Sequence, residues 1–113
     1  MDDILDLIKE AWQYIKKICK IIINGVLNFY SHVVGWFKSL SLNQNRDVPF
    51  IANANKAEFR QMIKEAPVKN VGIFQGVYNE ETDEITYNEY IQADELDNQT
   101  RQVLGNESLV VLN

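Results

Sequence analysis

The chain has 113 residues, 46% of them apolar and 24% charged, with a formal net charge of −5. This composition excludes intrinsic disorder, and it makes nucleic acid a poor partner because there is no basic excess to displace phosphate counterions. A single cysteine, Cys19, cannot close an internal disulfide, so the fold does not depend on an oxidising compartment.

The first predicted element is one long amphipathic helix over residues 1–42. Asp2, Asp3 and Asp6 suit a helix N-terminus. Apolar residues recur at Ile4, Ile8, Ala11, Ile15, Ile18, Ile22, Val26, Phe29, Val33, Trp36 and Leu40, in steps of three and four. That spacing is a heptad seam with one stutter near Val26. Trp12 and Phe37 widen the seam, and the expected interaction face is Ile4, Ile8, Trp12, Ile15, Ile18, Ile22, Val26, Phe29, Val33, Trp36, Phe37 and Leu40. A helix of this length measures about 60 Å, too long for a small domain to cover. Asn24-Gly25 is a turn dipeptide, so two antiparallel helices are the alternative to one continuous helix. The uncharged window Ile21 to Phe37 covers 17 residues, or about 25 Å against a hydrocarbon core of roughly 30 Å. A polar stripe through Lys20, Asn24, Asn28, Ser31 and Lys38 crosses that window, which argues for a protein-facing helix over a span.

Residues 43–52 are polar, end near Val48-Pro49 and read as a linker. Residues 53–113 read as a small acidic α-β-β-α-β domain with a mainly antiparallel three-stranded sheet, so the predicted fold class is α+β. Its first helix starts at Asn55, puts Phe59, Met62 and Ile63 on one face, and stops at Pro67. NVGIFQGVY and EITYNEYIQA form a β-hairpin around NEETDE. Expected inward residues are Val71, Ile73, Val77, Ile85, Tyr87 and Ile91, with Phe74, Tyr78 and Tyr90 on the alternate face. Gly72 or Gly76 is expected beneath an aromatic ring such as Tyr87 or Tyr90. A second helix runs from Asp97 as N-cap to Gly105 as C-cap, and SLVVLN closes the chain as a strand.

No catalytic, metal or cofactor site is expected. His32 has no metal-ligating residue three or four positions away, and Cys19 lies in no nucleophile motif. Glu80, Glu81, Asp83, Glu84, Glu89, Asp94, Glu95 and Asp97 lack the ligand order of a calcium loop and read as solvated hairpin and cap acids. VGIFQGVY does not lead into a helix and is not a phosphate loop. The expected function is a non-enzymatic interaction or assembly protein, self-associating or docking a helical protein partner through the long helix. The alternative is a membrane-associated or pore-forming protein with residues 2–40 as the active helix. The start MDDILDLIKE is acidic where a secretory signal is basic, so the expected location is the cytoplasm, with membrane association as the alternative.

Overall fold

NVGIFQGVY carries large apolar residues on both of its faces, and a strand of that kind needs cover above and below. The computed structural model describes residues 4–15, 17–60 and 67–112. In chain order its elements are α1 (Ile4–Trp12), β1 (Lys20–Ile22), β2 (Val26–Leu27), a π-helical turn (Phe29–Val34) running into α2 (Gly35–Ser39), β3 (Asp47–Asn53), α3 (Ala57–Arg60), β4 (Val71–Asn79), β5 (Glu84–Ala93), β6 (Glu95–Leu96), α4 (Asn98–Leu104) and β7 (Leu109–Val111). β4, buried from Gly72 to Tyr78, is the central strand of a five-stranded sheet ordered β1-β5-β4-β3-β7. The pairings are antiparallel except β1 with β5, which is parallel. A second, two-stranded parallel sheet joins β2 to β6.

The two faces of the main sheet carry separate cores. On one, Ile8 and Trp12 of α1 and Phe59 of α3 pack against Phe50, Phe74, Tyr78 and Tyr90. Trp12 is the hub: its ring stacks on Phe74 at 3.8 Å between centroids and lies 4.8 Å from Phe59. On the other, Phe29 and Val33 of the π-helical turn and Leu104 of α4 cover Ile51, Ile73 and Ile91.

The long N-terminal helix is not formed. α1 has nine residues and ends at Trp12, where the amides of Gln13, Tyr14 and Ile15 bond three residues back to Glu10, Ala11 and Trp12. Farther on, β-branched isoleucines favour the extended state, and Lys20, Ile21 and Ile22 pair in register with Tyr90, Ile91 and Gln92. Asn24-Gly25 is a turn between strands, neither a stutter nor a helical hairpin, with Gly25 at φ +122°. The period-seven pattern arises because two short helical stretches happen to keep phase while serving opposite faces of one sheet.

The sheet has five strands instead of three because residues before Asn24-Gly25 and within 43–52 are extended. Residues expected as a linker supply most of β3, between β4 and β7. Pro49 is tolerated there because its missing N–H falls where pairing with β7 runs out: its carbonyl accepts from Leu112 N at 2.8 Å, just beyond β7.

The hairpin, the helix between Asp97 and Gly105 and the last strand form as expected. One detail of the hairpin differs. A register shift between Val77 and Tyr78 pairs Tyr78 with Ile85 and Val77 with Tyr87, leaving Thr86 as a bulge. Ile85 therefore joins the Trp12 face, and Tyr87, expected inside, is 44% exposed. Gly72 does lie beneath Tyr90: a Cβ there would sit 2.9 Å from the ring. Gly76 is capped by Phe50, at 2.8 Å from such a Cβ. Phe59 is buried as expected, whereas Asp2, Asp3, Met62 and Ile63 lie outside the described residues.

Removing the hub has a size-dependent cost. Trp12→Ala is expected to destabilise the protein by about 3–5 kcal/mol, and Tyr14→Ala, at an exposed position, by no more than about 0.5 kcal/mol. Urea unfolding of the two variants checks this, and equal losses would contradict the end of α1 at Trp12.

Candidate interaction surface

The residues expected to form one interaction face are distributed over the molecule. Ile8 and Trp12 are core residues, with Ile4, Ile15 and Ile18 packed beside them. Phe29 and Val33 are core residues of the opposite face, joined by Phe37. Trp36 and Leu40 are half-buried, with the Trp36 ring edge-on to Phe37. Of the twelve, only Ile22 and Val26 stand exposed, at 52% and 49%.

These two flank the Asn24-Gly25 turn and mark the open edge of the structure. Cys19 O accepts from Tyr90 N at 2.7 Å and Ile23 N donates to Gln92 O at 2.8 Å. Alternate residues of a strand point to opposite sides, so the amide and carbonyl of Ile22 face away from β5. Ile21, 38% exposed, lies on the sheet face of Ile91, and Ile22 on the face of Gln92. The edge thus combines outward backbone groups with exposed isoleucine.

Carboxylates fasten this strip to the rest of the fold. Asp94 accepts from Gly25 N at 2.8 Å and from Lys69 Nζ at 3.1 Å, and the Asp94 amide donates to Gly25 O. The Lys69 bond, and then the Gly25 bond, hold the Asp94 carboxyl below the usual range. Asp97 joins two elements: it caps α4 through Thr100 N at 2.9 Å and Thr100 Oγ1, and it accepts from Phe29 N at 2.9 Å at the start of the π-helical turn. Burial pushes the Asp97 carboxyl up, but the bonds from Thr100 and Phe29 together outweigh burial and hold it low. Neither acid is a mere solvated surface charge.

A polar cluster lies under the π-helical turn. Gln75, wholly buried on β4, donates from Nε2 to His32 O at 3.1 Å and to Glu89 Oε1 at 3.0 Å. His32 Nδ1 accepts from Asn28 N at 2.8 Å, which makes it a local cap. Gln75 Oε1 and Trp12 Nε1 are buried side-chain polar atoms without a partner. Sequence reasoning passed over Gln75, although a lone glutamine inside a continuous apolar strand was the available signal.

Near the hairpin, Tyr78 donates to Asp83 Oδ1 at 2.6 Å. Burial first, and then Asp83, push the Tyr78 phenol up to about 12. An open groove of about 320 Å³ lies beside it, lined by Ala11, Tyr14, Ile15, Asp83, Glu84 and Ile85. Among the described residues no three His, Cys, Asp or Glu side chains converge to hold a metal ion, and no helix is long and apolar enough to cross a membrane. Comparison with known protein families, with curated proteins and with solved structures finds no match.

Asp97→Ala is expected to cost about 1–2 kcal/mol at neutral pH, the usual cost of losing an N-cap. A carboxyl whose folded pKa is depressed contributes stability above its unfolded value near 3.9, and that stability is lost as pH falls through the folded value. The variant should therefore lose less stability than wild type between neutral pH and pH 2, measured as urea midpoints across that range.

Proposed function

We propose that this chain is a non-enzymatic interaction protein that self-associates through the β1 edge. The observation that carries this reading is the open strand Lys20–Ile22, which presents outward backbone groups of Ile22 beside exposed Ile22 and Val26. A hydrophobic sheet edge is a template for pairing with another strand. Two copies related by a twofold axis would pair their β1 strands antiparallel, each contributing the same patch. Burial of the isoleucine and valine side chains would drive the association at about 25 cal/mol per Å². Charge is compatible with a protein partner and unsuited to nucleic acid. Cytoplasmic placement belongs to the same reading: the one cysteine, Cys19, is exposed and free, which suits a reducing compartment.

A membrane surface is the second reading. It is favoured by Tyr14 and Tyr30, which are exposed in the lysine-bearing N-terminal part, since tyrosine rings suit the boundary between headgroups and acyl chains. It no longer has a long helix to insert.

Light scattering after size exclusion separates the two. Wild type is expected at the mass of a dimer, and the double variant Ile22→Lys, Val26→Lys at the mass of a monomer with an unchanged circular-dichroism spectrum and an unfolding midpoint that, unlike that of wild type, does not depend on protein concentration. A monomeric wild type overturns self-association, and flotation of wild type with anionic lipid vesicles transfers the assignment to the membrane surface.

A further inference from the structure

Gln75 and Glu89 are direct cross-strand partners, on β4 and β5. The orientation of the Gln75 amide is fixed by what surrounds it. Nε2 faces His32 O and Glu89 Oε1, and exchanging nitrogen for oxygen would set oxygen against the His32 carbonyl, which can only accept. The remaining atom, Gln75 Oε1, is therefore an acceptor, and it is buried with no donor. An ionised glutamate can only accept hydrogen bonds, whereas a protonated one also donates from its hydroxyl.

We propose that Glu89 is held as a neutral carboxylic acid against Gln75, accepting from Nε2 through one oxygen and donating from the other to Gln75 Oε1, so that the two form a proton-holding clasp beneath the π-helical turn. The proton comes from solvent, and its uptake turns one carboxylate into one carboxylic acid with no other bond broken. The acid–amide pair satisfies Gln75 in full, and through Nε2 it also holds His32 O, which ties the π-helical turn to the sheet. Single π-helical turns recur at functional sites. This one is gripped at its start by Asp97 and at its middle by the clasp.

The surroundings favour the neutral form. Glu89 is half-buried, and burial, the largest influence, pushes its carboxyl up against the smaller opposing pulls of Gln75 and His32. His32, on the π-helical turn, is the titratable neighbour, and a positive charge on it would pull the Glu89 carboxyl down. Its Nδ1 accepts from Asn28 N, an arrangement that requires the neutral ring. From β4 the facing group is neutral Gln75. On β1 the residue on the same sheet face is Ile21, and Lys20 stands on the other face.

The sign follows from linkage. A carboxyl whose folded pKa is raised binds more protons folded than unfolded, so its stabilisation is present below the unfolded value and is lost as pH rises through the folded one. Alkaline ionisation leaves Gln75 Oε1 stranded beside a charge and loosens the π-helical turn.

The test uses the intact chain and two measurements. In wild type, carboxyl-carbon NMR should show Glu89 titrating above the ordinary glutamate value of about 4.3. Glu89→Gln mimics the protonated acid, since its amide supplies both an acceptor for Nε2 and a donor for Oε1. It is expected to lower the unfolding constant at pH 8 by roughly 3- to 10-fold relative to wild type and to flatten the pH dependence of stability between pH 4 and 8. A Glu89 midpoint at or below about 4.3, or an unfolding constant and pH slope unchanged by Glu89→Gln, overturns the clasp. The wild-type titration does not depend on the variant folding.

Discussion

Burial of β4 on both faces is the constraint from which the rest of the architecture follows. A central strand with phenylalanine and tyrosine on one side and isoleucine and valine on the other cannot be satisfied by a single layer of helix. α1 and α3 close one side, with Trp12 filling the space over Phe74. The π-helical turn and α4 close the other. The N-terminal third of the chain is consequently divided between the two faces, and it crosses from one to the other through β1 at the sheet edge. Glycines at 72 and 76 allow the aromatic rings of Tyr90 and Phe50 to approach the strand closely, where a Cβ would collide with them.

The second half of the chain was largely legible in the sequence, and the first half was not. In the hairpin and in the helix from Asp97 to Gly105, local propensity and tertiary environment agree: β-formers alternate around a polar loop, an aspartate caps and a glycine ends the helix. In residues 4–40 they disagree. Apolar spacing from Ile4 to Leu40 satisfies a helical period, but a count of steps carries no information about which surface each residue meets. Ile8 and Val33 fit one seam on paper and lie on opposite sides of a sheet in the fold. The β-branched run Ile21, Ile22, Ile23 before Asn24-Gly25 was the local signal for a strand and a turn, and the long-range period obscured it. Pro49 misled in the same way, because whether a proline suits a strand depends on which neighbour its missing donor would face.

The expected interaction face fared according to the same physics. Residues chosen for hydrophobicity were mostly consumed by the core, as apolar side chains in a domain of this size tend to be. What remains outside is Ile22, on the edge strand β1, and Val26, across the turn on β2. The polar residues that matter were passed over for the opposite reason. Gln75 lay inside an apolar strand, and Glu89 and Asp94 lay in an acidic stretch that reads as solvated, whereas Asp97 was legible as a cap but not as the partner of Phe29 N. Burial and hydrogen-bond partners distinguish them, and neither is visible in a list of residue types.

The parallel pairing of β1 with β5 joins residues far apart in the chain, as the Cys19 to Asn88 contact across 69 positions illustrates. At a synthesis rate of about 5–20 residues per second, the isoleucine strand leaves the ribosome roughly 3–14 seconds before its partner does. For that interval the strand lacks its native partner, and it takes its place in the sheet only once β5 is present. The strand that defines the edge of the finished protein is therefore also a segment of the nascent chain that must wait for its partner to be made.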